Sequence, residues 1–219
     1  LLILVSMIHT GNKLKRHVAV GLSTIVLSLL MWFFGVHHQR IAGAIPFFLL
    51  FCIMAMGPAK RLWPSIWKVK GWSKMFPITW RSELGIWFAI WSVLHMLFVF
   101  HAREWAVIDY ITGMSPWAFG AFVAVIMAVV LAATSTNKAL VFLGAKSWKW
   151  LQNAAHIIWW LSVVHTVDRA VLRPGFPSAD PLHWIYIIMM ITVPLLQIAA
   201  FSKVVSEYRR TGNYPNDIL

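Results

Sequence analysis

The sequence predicts an all-α membrane protein, a six-transmembrane-helix bundle with both termini cytoplasmic, and three observations carry that prediction. Apolar residues make up 60% of the 219-residue chain and charged residues only 12%, about half the charged fraction of a soluble domain, and mean hydropathy is +0.72. The apolar residues gather in runs close to the roughly 20 residues that cross a bilayer. The basic residues, source of a formal charge of +12, flank those runs and fall mostly on one side. Charge of this kind orients a chain in a bilayer, so the expected partner is lipid and not nucleic acid. Six spans occupy roughly 120 positions, which leaves no room for a second domain of useful size.

The opening stretch LLILVSMIH is apolar before it is basic, the reverse of a secretory signal, and it does not begin with Met. Residues 1–15 therefore read as a separate apolar and basic segment, a remnant or an interfacial element. The bundle is expected over 16–202, with spans at 18–36, 41–56, 84–100, 117–133, 151–167 and 184–201, and 203–219 as a cytoplasmic tail. The second span is the shortest. Only a brief break at Gln39 and Arg40 precedes it, so the first two spans should form a tight hairpin. Pro58, Pro116 and Pro181 sit at expected helix ends, whereas Pro46 and Pro194 fall inside spans and predict kinks.

Between the second and third spans, the 60–81 segment interleaves Trp with Lys and reads as lying along anionic headgroups. Nine of the 14 tryptophans fall at the two expected interfaces, where an aromatic belt accounts for them. The single cysteine, Cys52, lies in an apolar run and permits neither an intrachain disulfide nor a cysteine-based metal site.

Fifteen of the 19 basic residues lie before the first span, between the second and third, between the fourth and fifth, or after the sixth. The other side holds Arg40, Arg103, Arg169 and Arg173, with four of the seven acids. The positive-inside rule places both termini in the cytoplasm, as in a bacterial-type inner membrane.

Nine histidines are the informative feature, because an ionisable group at membrane depth is by default a functional hypothesis. His9, His17, His37, His38, His101 and His183 lie at or beyond span ends and read as solvated interfacial groups. His95 and His165 lie 14 and 16 residues from the cytoplasmic anchors Arg81 and Lys149, roughly 21 to 24 Å deep on helices of the same direction. Two imidazoles at one level suit a bis-histidine haem b, whose axial ligands approach one iron from opposite faces. The competing reading is that each histidine hydrogen-bonds a neighbouring helix. His156 is only about 10 Å deep and points to the opposite face of an ideal helix from His165, so a structural or lipid-facing role suits it better than ligation. The spans hold almost no acids, which argues against an ion transporter.

Several motifs in order carry a family resemblance: GPAKRL at 57–62, RSELGIWFAIWSVLH at 81–95, TST at 134–136, then WKWLQ and VVH ending at His165. The chain resembles the ferric-reductase-like transmembrane domain over residues 16–202, and in particular the haem-binding membrane subunits of periplasmic methionine sulfoxide reductase systems. The resemblance implies a six-helix fold that moves electrons across the membrane through b-type haem held between the third and fifth spans. It assigns His95 and His165 as the outer haem ligands and, through the haem iron, as the metal ligands. The inner ligand positions of two-haem members fall on Arg81 and Gln152, neither of them a usual haem ligand. His156, one turn beyond Gln152, is the candidate for a displaced inner ligand, but it has no partner on the third span.

One haem b rather than two is therefore expected. With a short tail in place of a flavin and nicotinamide domain, a quinol or a separate reductase is the expected electron source and an outer-side redox protein the expected partner. Arg103, Arg169 and Arg173 are candidates to pair with haem propionates, a purely topological role being the alternative. A structural subunit of a larger membrane complex, keeping the fold without the electron route, is the second reading.

Overall fold

The computed structural model describes residues 2–65, 80–172 and 181–212, and within these all side chains except those of 2–12, 137, 170 and 171. Arg173, the side chain of His9 and most of the 60–81 segment lie outside the described residues. In chain order the elements are α1 (Leu2–Phe33), α2 (His38–Leu62), α3 (Arg81–His101), α4 (Val107–Thr112), α5 (Pro116–Ala133), α6 (Asn137–Leu143), α7 (Ala145–Gln152), α8 (Ala155–Val167) with a π-helical turn (Asp168–Leu172), and α9 (Pro181–Thr211). No strand occurs among the described residues. Among the described residues, five stretches are long and apolar enough to cross a membrane, namely Lys13–Phe33, α2, α3, α5 and α9. This is the architecture of a multi-pass membrane protein.

Several boundaries differ from the sequence expectation. The hairpin turn between α1 and α2 lies at residues 34–37 and contains Gly35 at φ 79°, while Gln39 and Arg40 already belong to the first turns of α2. Pro58 does not end a helix, because α2 runs through both Pro46 and Pro58 to Leu62. A proline removes one rung of the hydrogen-bond ladder. In hydrocarbon, unravelling the helix would strand many more polar groups. The expected shortest span thus has 25 residues, and it is the most enclosed of the five. Residues 2–33 form one continuous helix, with no boundary at residue 15.

The expected span over 151–167 is divided. It begins inside α7, breaks at Asn153 and Ala154, and resumes as α8 with 13 residues, about 20 Å of helix.

The described chain divides into two compact units, Leu1–Leu50 with Thr79–Arg173, and Phe51–Ile78 with Pro174–Leu219. Within the first, α3 and α8 both pack on α5, and α1 packs on α3. The buried positions of α5 are Ala118, Ala124, Ala128 and Leu131. The three alanines let neighbouring helix backbones come close, which is how helices gain van der Waals contact where lipid offers no hydrophobic drive. Phe47 of α2 stacks on the buried Trp159 of α8 with centroids 5.5 Å apart. Within the second unit, the Lys203 ammonium donates to the carbonyls of Arg61 (2.8 Å) and Leu62 (3.3 Å). It thereby satisfies orphan acceptors at the C-terminus of α2, where a cation also complements the helix dipole.

α1 is docked by two polar contacts. Glu83, 1% exposed, accepts from the Ser82 hydroxyl at 2.8 Å and has the Arg16 guanidinium 3.8 Å away. Such a carboxylate tolerates burial only when paired. One turn further along α3, the Trp87 indole donates to the His17 carbonyl at 3.0 Å. A Cβ on Gly21 would collide with the Trp87 ring, so this glycine is what lets the indole lie across the α1 backbone. Gly21→Ala is expected to displace Trp87, break its hydrogen bond and destabilise the protein by roughly 1–3 kcal/mol. Thermal unfolding of the detergent-solubilised chain checks this, and a midpoint equal to wild type would refute it.

Candidate functional site

The site is assembled from four elements of the first unit: α3 and α8, which both pack on α5, α5 itself, and the N-terminal half of α2. His95 lies in the second half of α3 and His165 near the end of α8. Each Nδ1 is buried with no hydrogen-bond partner among the described residues. The same is true of the indole nitrogens of Trp91, one turn before His95, and Trp159, on α8. All four of these orphaned ring nitrogens belong to α3 and α8. Buried polar groups are nearly always paired, and each exception calls for an explanation.

Both imidazoles sit beside a backbone polar group of another helix: Gln39 at the start of α2 for His95, Trp117 at the start of α5 for His165. His165 lies within electrostatic range of His95, Arg169 and Asp168, and Arg169 also acts on His95. The structure thus gathers His95, His165 and Arg169 into one neighbourhood. Arg169 stands on the π-helical turn that follows α8, with its Nε 3.8 Å from the Asp168 carboxylate. π-turns are uncommon and recur at functional sites. No group of three or more His, Cys, Asp or Glu able to hold a bare metal ion occurs among the described residues. Two imidazoles suit instead a metal that arrives with most of its ligands already in place, as haem iron does.

The other expected residues lie elsewhere. His156 is exposed, and its Nδ1 is 3.0 Å from the Asn153 carbonyl, an acceptor at the break between α7 and α8. Arg103 is exposed at the end of α3, its guanidinium 5.2 Å from the centroid of the Tyr110 ring. At the inner positions, Arg81 is exposed at the first residue of α3. Gln152 directs its amide to the Leu131 carbonyl and the Ser135 hydroxyl, each at 3.5 Å.

Those contacts of Gln152 are part of a larger arrangement. Trp148 donates to the Thr134 carbonyl at 2.9 Å, Ser135 to the Leu131 carbonyl at 2.7 Å, and Thr134 to the Val130 carbonyl at 2.9 Å. The TST and WKWLQ motifs together satisfy the last carbonyls of α5, which a helix end otherwise leaves without partners.

Sequence reasoning missed Gln39 and Gly43 on α2. A Cβ built on Gly43 would lie 3.2 Å from His95 Cε1, 3.5 Å from Nδ1 and 3.7 Å from Nε2. A glycine inside an apolar run carries no chemical signal, so only the approach of α3 to α2 exposes it.

Among known proteins, no protein-family model matches the chain, and no solved structure does. It is similar to the curated protein-methionine-sulfoxide reductase heme-binding subunit MsrQ of Ralstonia nicotianae, at 26% identity over 137 residues, covering 58% of this chain and 55% of that protein. The chain therefore spans little more than half the length of the curated relative it matches.

Proposed function

We propose that the protein is a membrane electron-transfer subunit that binds one haem b through His95 and His165. The observation that carries this reading is the pair of buried, unpartnered Nδ1 atoms on two helices that both pack on α5. An imidazole nitrogen in apolar surroundings without a hydrogen bond costs free energy. Ligation through a ring nitrogen would remove that cost. The residues present therefore fit an axially ligated haem, and the relative's name as a heme-binding subunit supports the same choice.

The bound haem supplies a one-electron couple whose potential depends on axial ligation and burial. His95 and His165 would hold it, and the apolar faces of α3, α5 and α8 would keep water from it. Arg169, within electrostatic range of both histidines, offers positive charge to a propionate. Arg103, engaged with Tyr110, and His156, beside Asn153, are left as weaker candidates for the same site.

α8 with its π-turn serves in this reading as a sixth crossing segment, both termini face the cytoplasm of a bacterial-type inner membrane, and electrons pass outward from a quinol or a separate reductase to an outer-side protein. Reporter fusions at Asp109 and Lys138 should score outside and inside respectively; the reverse pattern would overturn the orientation.

The haem assignment is tested by spectroscopy of the purified chain. His95→Ala or His165→Ala should abolish the low-spin bis-histidine spectrum while membrane insertion persists, and His156→Ala should retain it. A wild-type chain without haem would leave the structural-subunit reading in its place.

Stoichiometry is a separate check. With Gln152 directed to Leu131 and Ser135, a pyridine haemochrome assay should find about one haem per chain, as expected for a single axial pair, and a value near two would show a rebuilt inner site.

A further inference from the structure

α3 carries two rings that meet neighbouring helices in the same manner. Trp87 lies over Gly21 of α1 and donates to the carbonyl of His17, four residues before that glycine. His95 lies over Gly43 of α2 and beside the backbone of Gln39, again four residues before the glycine. Eight residues separate the two rings, about 12 Å along the helix and about 80° around it, as befits two contacts with two different helices. In the first case the ring nitrogen is hydrogen-bonded and the contact is a dock. In the second, Nδ1 of the ring is left buried and bare.

We infer that Gly43 is a positioning residue for His95: the missing side chain leaves a notch in α2 that seats the imidazole beside Gln39 and fixes how the ring faces the site. The inference rests on the haem reading above and goes beyond it by assigning the ligand's orientation to a residue that has no side chain. The geometry is selective. Gly85, on the same helix as His95, has open space where a Cβ would stand, so its absence of a side chain seats nothing. At Gly43 a methyl group would come within 3.2 Å of Cε1, closer than ordinary van der Waals contact. The ring must then tilt or back away, and second-shell changes of this kind alter how firmly a ligand holds its metal.

The test uses the whole chain, purified with haem in detergent, as wild type, Gly43→Ala, Gly43→Val and Gly85→Ala. Gly43→Ala should fold as well as wild type, because alanine is the better helix former, yet shift the low-spin electron paramagnetic resonance signal of the oxidised protein. Gly43→Val should release haem about tenfold faster to an apoprotein acceptor. Gly85→Ala should match wild type in both measurements. If Gly43→Val fails to accumulate, the signal of Gly43→Ala decides alone. A wild-type signal and release rate in the Gly43 variants would overturn this inference while leaving the haem reading intact, as would an equal shift in Gly85→Ala. A wild-type chain free of haem, or a His95→Ala variant that keeps the spectrum, would overturn both.

Discussion

Inside a bilayer there is no water to take up a stray hydrogen bond, so every polar group at depth needs a partner from the chain itself. Most of this structure obeys that constraint by direct pairing. Trp87 reaches a carbonyl of α1, Lys203 reaches the last carbonyls of α2, and the TST and WKWLQ motifs close the end of α5. Against that pattern, the bare nitrogens of His95 and His165 stand out. An indole nitrogen can only donate a hydrogen bond, whereas an imidazole nitrogen can also bind a metal, and a metal-bearing cofactor is the chemistry that would account for this pair.

How much of this was legible in the sequence depended on whether the signal was local. α5 was readable to within a residue, since Pro116 opens it and the Ser115 hydroxyl caps it by accepting from the Ala118 amide. The length of α2 was not, because Gly57 and Pro58 imitate a helix end that the helix runs through. The break at Asn153 and Ala154 was hidden for the opposite reason: neither glycine nor proline marks it. His95 and His165 were singled out by residue counts from Arg81 and Lys149, although the count to His165 runs through the break at Asn153 and Ala154. Gly43, Gln39 and the Arg16–Glu83 pair could not, because their roles depend on which helices abut.

Gln152 shows what a side chain that is no usual haem ligand does in this structure. The amide here turns to α5 and joins a set of hydrogen bonds that would be needed at that helix end in any case. A donor with two N–H groups suits that work better than an imidazole with one.

The shortness of α8 has a consequence for the lipid around it. Its thirteen residues cover about 20 Å and the five of the π-turn add less than about 8 Å, against about 30 Å for the hydrocarbon of an average bilayer. With α8 as a crossing segment, this side of the protein presents a hydrophobic mismatch, which a membrane meets by thinning locally. α7, with Lys146, Lys149 and the exposed Trp150, is composed to rest in the headgroup layer where that dimple forms. Lipid headgroups would then be drawn inward around α7, at the end of α8 remote from His165, so that the polar boundary bends toward the break at Asn153 and Ala154.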